Sequence, residues 1–384
     1  MILFKKINEE GKLCIVKVLF FTNIPSPYRV DFFNELGKYC ELTVLYERRD
    51  ADDRDKNWCN NEENNLNFKP IYLKGKKIGA DTALCVESLK YWRDKSFDIR
   101  IIGDYATPTG ILSAVYMRIF RISYGIECDG GYIKQNERKF LKWIKKFLIS
   151  KCQFVFSPGI TTNEYLKHYG VDAKKIWFYP FSSLKLEDIK SANSMAKEKI
   201  KYRKKLKILE KKVILSVGQM IYRKGFDVLI ESGKYLKKDI GIYIVGGNPK
   251  EEYLKLVEKN NLINIHFLNF MNKEELAEYY AAADIFVLPT REDIWGLVIE
   301  EAMSFGLPII TTDKCVAGVE LLREGGGIII PTDSEKQLTE AINMLLDNEE
   351  YCRKCEKHNL EIIKNYTIEQ MARKHIELLR KIEG

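Results

Sequence analysis

The sequence predicts an α/β protein made of two doubly wound domains, and three observations carry that reading. At 384 residues the chain is longer than one ordinary hydrophobic core accommodates. Short apolar runs alternate with stretches of helical spacing along both halves. One lysine-rich, turn-poor stretch interrupts that alternation near the middle. Apolar runs of this kind suit parallel strands buried on both faces. Two such sheets are expected to face each other across a cleft, with ligands beyond the carboxyl ends of the strands.

In the first half the expected strands are CIVKVLFFT (14–22), LTVLY (42–46), PIYL (70–73), IRIIG (99–103), RISYGI (121–126) and FVFS (154–157). The stretch 184–212 reads as a linker plus an exposed helix. The alternation then resumes with VILSVG (213–218), GIYIVGG (241–247), INIHFL (263–268), DIFVLP (284–289), LPIITT (307–312) and GGIII (326–330). Helical patterns fill the gaps, as around Lys273–Ala282 and Val298–Phe305. The domains are placed at 1–183 and 184–361, with 362–384 a C-terminal helix returning to the first.

Composition narrows the function classes. An apolar fraction of 46% with 12% aromatic residues suits a globular chain. No run of about 18 uncharged apolar residues occurs, so no transmembrane helix is expected. Glu9, Glu10 and Lys17 break the apolar opening, which argues against a signal peptide. Nine cysteines without a disulfide framework point to a reducing cytoplasm. Cys352 and Cys355, near His358, lack the second pair a zinc site needs, and no metal is expected. The acidic DDRD run (52–55) reads as surface, and VGG at 245–247 alone does not license a nicotinamide cofactor.

The net charge of +8 is uneven. Residues 1–185 hold 31 basic and 22 acidic side chains, the remainder 31 and 32. The basic excess therefore lies in the first half and suggests an anionic partner there.

The segment EDIWGLVIEEAM (292–303) holds two carboxylate pairs at equal spacing, Glu292 with Glu300 and Asp293 with Glu301. A helix is expected to start at Gly296–Leu297 and stop at Gly306-Leu307-Pro308. Its first N–H groups, Gly296–Ile299, offer a place for phosphate. At about 100° per residue, Glu300 lies opposite the apolar direction and reads as solvated. Glu301 lies at the edge of the packed face, where a carboxylate needs a partner.

This segment resembles the donor-binding signature of retaining glycosyltransferases of family 4, which have the GT-B fold. Aligned on Trp295-Gly296 and Glu301-Ala302-Met303, the resemblance puts the two acidic positions on Asp293 and Glu301. It departs from the usual pair of glutamates, with Glu292 as an alternative to Asp293. It implies that Glu301 takes the ribose hydroxyls and Asp293 those of the donor sugar, next to Trp295, Gly296, Leu297 and Val298. SVGQMIYRKGF (216–226) resembles the family's diphosphate-binding segment, with Gly218 and Lys224 in place. Gln219 stands where an arginine is usual, and Arg223 is a neighbouring cation. Phe270 and Met271 correspond to the stretch lining the nucleotide base.

In the first half, FTNIPSPYRVDFFNEL (21–36) resembles members involved in polysaccharide assembly, and makes Tyr28 and Arg29 candidates for acceptor or phosphate. GIECDGG (125–131) stands where many members carry a histidine. Glu127 or Asp129 is expected to take that hydrogen-bonding role. His266, inside a strand pattern, reads as structural.

GYIKQNERKFLKWIKKFLISKCQ (131–153) carries Phe140, Trp143, Ile144, Phe147 and Leu148 at helical spacing among Lys134, Arg138, Lys139, Lys142, Lys145, Lys146 and Lys151. It fits an anionic membrane surface through 134–151, or core packing on the first sheet, or both. No nucleic-acid motif accompanies the charge.

The resemblance implies a retaining, metal-independent hexosyltransferase without a cofactor. It would use a UDP- or GDP-sugar and a lipid-linked saccharide, in the cytoplasm on the inner face of the plasma membrane. A sugar-nucleotide epimerase of the same fold and a non-catalytic nucleotide-sugar-binding partner are the alternatives.

Overall fold

The computed structural model describes residues 3–7, 13–52, 65–133 and 137–383. Asp53, Arg54 and Asp55 of the DDRD run and Lys134 of the basic segment lie outside them. The chain forms two compact units, Met1–Ser183 with Thr367–Gly384, and Leu184–Tyr366.

The first unit opens with an antiparallel pair, β1 (Lys5–Ile7) and β2 (Leu13–Ile15). Its main strands are β3 (Lys17–Thr22), β4 (Glu41–Tyr46) and β5 (Lys69–Tyr72), a small pair β6 (Lys76–Lys77) and β7 (Ala83–Leu84), then β8 (Ile99–Ile102), β9 (Gly125–Glu127), β10 (Val155–Ser157) and β11 (Ile176–Phe178). Seven of them make a parallel sheet in the order β11-β10-β9-β8-β3-β4-β5. Leu19, Phe21, Ile102 and Ile126 are fully buried in its core. The strand β11 is absent from the sequence reading. Its residues Ile176, Trp177 and Phe178 are only half-buried or exposed at the sheet edge, so they form no long apolar run.

The second unit carries β12 (Lys212–Val217), β13 (Ile240–Val245), β14 (Ile265–Leu268), β15 (Ile285–Leu288), β16 (Ile309–Thr312) and β17 (Gly327–Ile330). They form a parallel sheet in the order β14-β13-β12-β15-β16-β17. Chain order therefore reverses between β12 and β15 here, and between β3 and β8 in the first sheet. At such a reversal the loops from two neighbouring strands leave in opposite directions and open a crevice at the carboxyl edge.

The stretch 184–212 is not a free linker. Its helix Ala192–Lys205 packs on the helix Lys273–Ala282. Arg203 donates to the Ala282 carbonyl at 2.8 Å and to Asp284 at 2.5 Å, and Lys199 meets Asp284 at 3.2 Å. The lysine-rich composition hid a face that is anchored by two cations.

The helix Lys139–Ile149 packs on the first core through one side, as one of its two sequence readings allowed. Leu148 and Ile149 are buried, and Ile144 and Phe147 pack against the first core. Phe140 and Trp143 remain 68% and 61% exposed, so the apolar stripe is wider than the contact that covers it. Among the described residues, no helix is long and apolar enough to cross a membrane.

Candidate functional site

The loops that follow β12 and β15, on either side of the second sheet's reversal, are bonded to each other. The Arg223 carbonyl accepts from the backbone N–H of Arg291 at 2.8 Å and from the Thr290 hydroxyl at 3.0 Å. Arg291 clamps the same junction. Its guanidinium meets Asp227 through two nitrogens at 2.8 and 2.6 Å, reaches Asp333 at 2.6 Å, and stacks over the Tyr222 ring at 3.8 Å. Asp227 raises the Arg291 pKa above its ordinary value. The sequence reading missed Arg291, whose only signal was a cation in the polar loop after a strand.

Two glycines let these loops approach. Gly225 has φ +70°, and a Cβ there would lie 2.0 Å from the Pro289 carbonyl oxygen. Gly296 has φ +103° and precedes the helix Leu297–Ser304, and a Cβ there would lie 2.9 Å from Cys315 Sγ. Only glycine adopts such angles without strain.

The junction brings Lys224 and Asp293 together. Lys224 Nζ donates to Asp293 Oδ2 at 2.5 Å, and both residues are 9% exposed. The lysine stem crosses Gly218, where a Cβ would meet its Cδ and Cε at 3.3 Å. Arg223 Nη1 donates to the Glu292 carbonyl at 2.7 Å and stands 3.7 Å from Asp293 Oδ1, with 41% of its side chain exposed. Backbone bonds from Asp293 N to Lys314 O and from Ala317 N to Trp295 O hold the acidic loop against the next one. A buried lysine already charge-balanced by a carboxylate, beside an exposed arginine, suits an anionic ligand that shares the cation. Gln219 is half-buried beside Gly218. Leu297 and Val298 form the half-buried first turn of the helix. Phe270 and Met271 lie on a separate loop after β14, Phe270 at 43% exposure.

Of the two carboxylates of the helix, Glu300 is placed differently from the sequence reading. Glu300 is fully buried, and its Oε1 accepts the Trp295 indole N–H at 2.8 Å. The helix is covered on the side away from the sheet by the helix Glu349–Ile362 and the turn Ile363–Asn365, so no solvated face exists there. Burial pushes the Tyr366 phenol up to about 12, with Glu300 adding to the rise. Trp295, at 4% exposure, is turned inward as the anchor of the loop. Glu301 is half-buried and accepts from the Tyr280 hydroxyl at 2.9 Å. Burial raises its carboxyl above the ordinary range, opposed by Tyr280.

In the first unit the loops at the β3/β8 reversal are also tied together. Asp104 accepts from the Thr22 hydroxyl at 2.7 Å and the Asn23 N–H at 2.9 Å. Arg29, on the helix Pro27–Leu36, is 2% exposed and does not stand free for phosphate. It binds Glu127 through Nη1 and both Asp129 oxygens through Nη2 at 2.6 Å. Tyr28 is half-buried, its ring against Phe181, and burial pushes its phenol up to about 12. Glu127 is fully buried and also meets His375 Nε2 at 2.5 Å. Of the two acidic candidates, Asp129 alone keeps an exposed side, 28% of its side chain. His375 was missed in the sequence. Its signal was a place on the apolar stripe of Ile368, Met371, Ala372 and Leu379, where a histidine reads as core.

His266 pairs with Glu210 at 2.5 Å and stacks on Tyr243, a structural contact on β13 and β14.

Residues 198–361 match the family model described as glycosyl transferases group 1. A Haemophilus influenzae protein described as an uncharacterized glycosyltransferase is 31% identical over 206 residues, which is 52% of this chain and 56% of that protein. A Campylobacter jejuni N,N'-diacetylbacillosaminyl-diphospho-undecaprenol alpha-1,3-N-acetylgalactosaminyltransferase is 24% identical over 284 residues, 71% of this chain and 74% of that protein. This chain thus spans little more than half of the first relative's length. Among solved structures, Anabaena HepE in complex with UDP and glucose superposes with a TM-score of 0.76 at 14% identity, covering 95% of this chain and 100% of that one. That likeness concerns the fold, two Rossmann-like units of the GT-B type. The matched segment lies inside the second unit and contains both loops of the Lys224–Asp293 junction, so the likeness to glycosyl transferases group 1 falls on the residues of that junction.

Proposed function

We propose that this protein is a retaining, metal-independent glycosyltransferase that moves a hexose-type sugar from a UDP- or GDP-linked donor to a lipid-linked saccharide in cell-surface polysaccharide synthesis. The observation that carries the reading is the Lys224–Asp293 pair at the strand-order reversal of the unit with the group 1 likeness. A departing nucleoside diphosphate gains negative charge, and a preorganised cation at the strand edge stabilises it. Lys224 and the more exposed Arg223 supply that charge. Asp293 takes sugar hydroxyls and Glu301 the ribose, both as carboxylate acceptors. The Campylobacter relative's diphospho-undecaprenol acceptor supports the lipid-linked saccharide.

The exposed Phe140 and Trp143, flanked by lysines, support peripheral binding to an anionic cytoplasmic membrane surface. The test is transfer by the purified protein from a panel of UDP- and GDP-sugars to a lipid-linked saccharide in EDTA, with the product anomer read by NMR. Retained configuration without added metal is expected. An inverted product or a strict metal requirement sinks the mechanism. Sugar conversion without acceptor would favour an epimerase, and donor binding without turnover a non-catalytic partner.

A further inference from the structure

We propose that His375 is a positioning residue that fixes Asp129 at the carboxyl edge of the first sheet, acting through Glu127 and Arg29. The inference rests on the glycosyltransferase reading for what Asp129 does, but not for the relay itself.

The contacts run in one line through three segments far apart in sequence. His375 lies on the helix Ile368–Glu383, which packs along the helix carrying Arg29. Its Nε2 meets Glu127 Oε2 at 2.5 Å, and Glu127 Oε1 takes Arg29 Nη1. Arg29 Nη2 then holds both oxygens of Asp129 at 2.6 Å, and the Tyr179 hydroxyl donates to Asp129 Oδ1 at 3.2 Å. His375, Glu127 and Arg29 are 0, 0 and 2% exposed, and Asp129 is where the chain of contacts reaches the surface.

Hydrogen-bond partners fix the orientation of the histidine ring. Its Nδ1 faces the Met371 carbonyl at 2.8 Å, and a carbonyl only accepts. Its Nε2 faces a carboxylate. Burial works to raise the Glu127 carboxyl, but Arg29 and His375 outweigh it and hold it below the usual range. Both ring nitrogens therefore face acceptors, one a backbone carbonyl and one a carboxylate. Phe156, Phe32 and Tyr179 surround the ring with centroids at 4.1, 4.9 and 4.9 Å and hold its plane.

These contacts make His375 necessary to Asp129. Without His375, Glu127 is a buried carboxylate that keeps Arg29 as its remaining partner in the line, and it draws Arg29 away from Asp129. Burial already pushes the Asp129 carboxyl up to about 7, with Arg29 opposing and Glu127 and Asp104 adding to the rise. Tyr28, Tyr179 and Cys128 are the other titratable groups facing the cluster. An Asp129 held by Arg29 in a fixed plane presents one orientation to a sugar hydroxyl.

The experiment labels aspartate with carbon-13 at Cγ in the full chain and follows the Asp129 resonance, assigned by its loss in Asp129→Asn. His375→Phe should fold, because the ring fits among Phe32, Phe156 and Tyr179. Its Asp129 titration midpoint should rise by about half a unit or more. Glu127→Gln removes the competing anion and should move the midpoint down. His375→Gln keeps one donor and should return it toward the wild-type value. With a donor and acceptor in hand, kcat for His375→Phe should fall about tenfold or more while donor Kd is unchanged. An unchanged Asp129 titration in folded His375→Phe, or shifts of one sign in both variants, overturns the proposal. If His375→Phe does not fold, the Glu127→Gln and His375→Gln titrations decide it. If the wild-type protein transfers no sugar, the functional reading fails, and the titrations still decide the relay.

Discussion

Glu300 and Glu301 are neighbours with opposite fates, and the difference is set by what covers the helix. Glu300→Ala leaves the buried Trp295 indole N–H without an acceptor, a loss of about 1–3 kcal/mol, to be read from denaturant unfolding. Glu300→Gln keeps an acceptor oxygen and should cost clearly less than the alanine. Glu301 contributes through a ligand instead. Its carboxyl is raised by burial, so it protonates at a higher pH than an ordinary glutamate. Only the ionised form accepts from two ribose hydroxyls, so donor affinity should fall on the acid side, beginning above the usual carboxylate range. Titration calorimetry with UDP and GDP against pH should show this loss in the wild type and not in Glu301→Gln. The resemblance singled out Lys224 and Asp293 in two separate loops, and the structure pairs them; Arg291, in the same polar loop as Asp293 but outside the resembling motif, was missed. Glu300 was misread because helix phase assumes one packed face, and this helix has two. His375 was illegible because its partners, Glu127 and Arg29, are more than 240 positions away.

At the scale of elements, the buried strands announced themselves, since a strand covered on both faces is a continuous apolar run. Edge strand β11 did not, and the helix Ala192–Lys205 was legible as a helix but not as an anchored one, because each is stabilised by one face and by contacts distant in sequence. The two loop glycines were visible as residues, but the closeness that requires them was not. Gly225→Ala places a methyl group against the Pro289 carbonyl in a left-handed backbone, at about 2–4 kcal/mol. The 289–296 loop must shift to relieve it, so thermal stability and nucleoside diphosphate affinity should fall together. A variant that loses stability with unchanged affinity would detach the turn from the site. The helix Lys139–Ile149 makes a contrasting case. Trp143→Ser removes an exposed ring and should alter stability by no more than about 0.5 kcal/mol. Its binding to vesicles containing anionic lipid, measured by cosedimentation, should weaken about fivefold or more. Equal binding by the variant would assign the stripe to something other than a membrane.

At the scale of the molecule, chain connectivity and structural unit do not coincide. The first unit is finished only by residues 367 onward, after the second has been completed. Ile368, Met371, Ile376 and Leu379 are all buried there, at most 4% exposed. Each contributes about 1.5–3 kcal/mol by burial, so together they approach the whole stability of an ordinary domain, about 5–15 kcal/mol. His375 is lost with them, leaving Glu127 with Arg29 alone in a closed interior. A chain ending at Tyr366 should therefore fail to fold its first unit, which circular dichroism and amide exchange would show as unprotected strands β3, β8, β9 and β10. The second unit has no such debt to the C-terminal helix. Its sheet, its core, the Arg291 clamp and the Lys224–Asp293 junction all lie within Leu184–Tyr366. That fragment alone should fold cooperatively and bind a nucleoside diphosphate, with the affinity lost in Lys224→Met. A folded fragment that binds no nucleotide would mean that the donor needs groups outside the second unit.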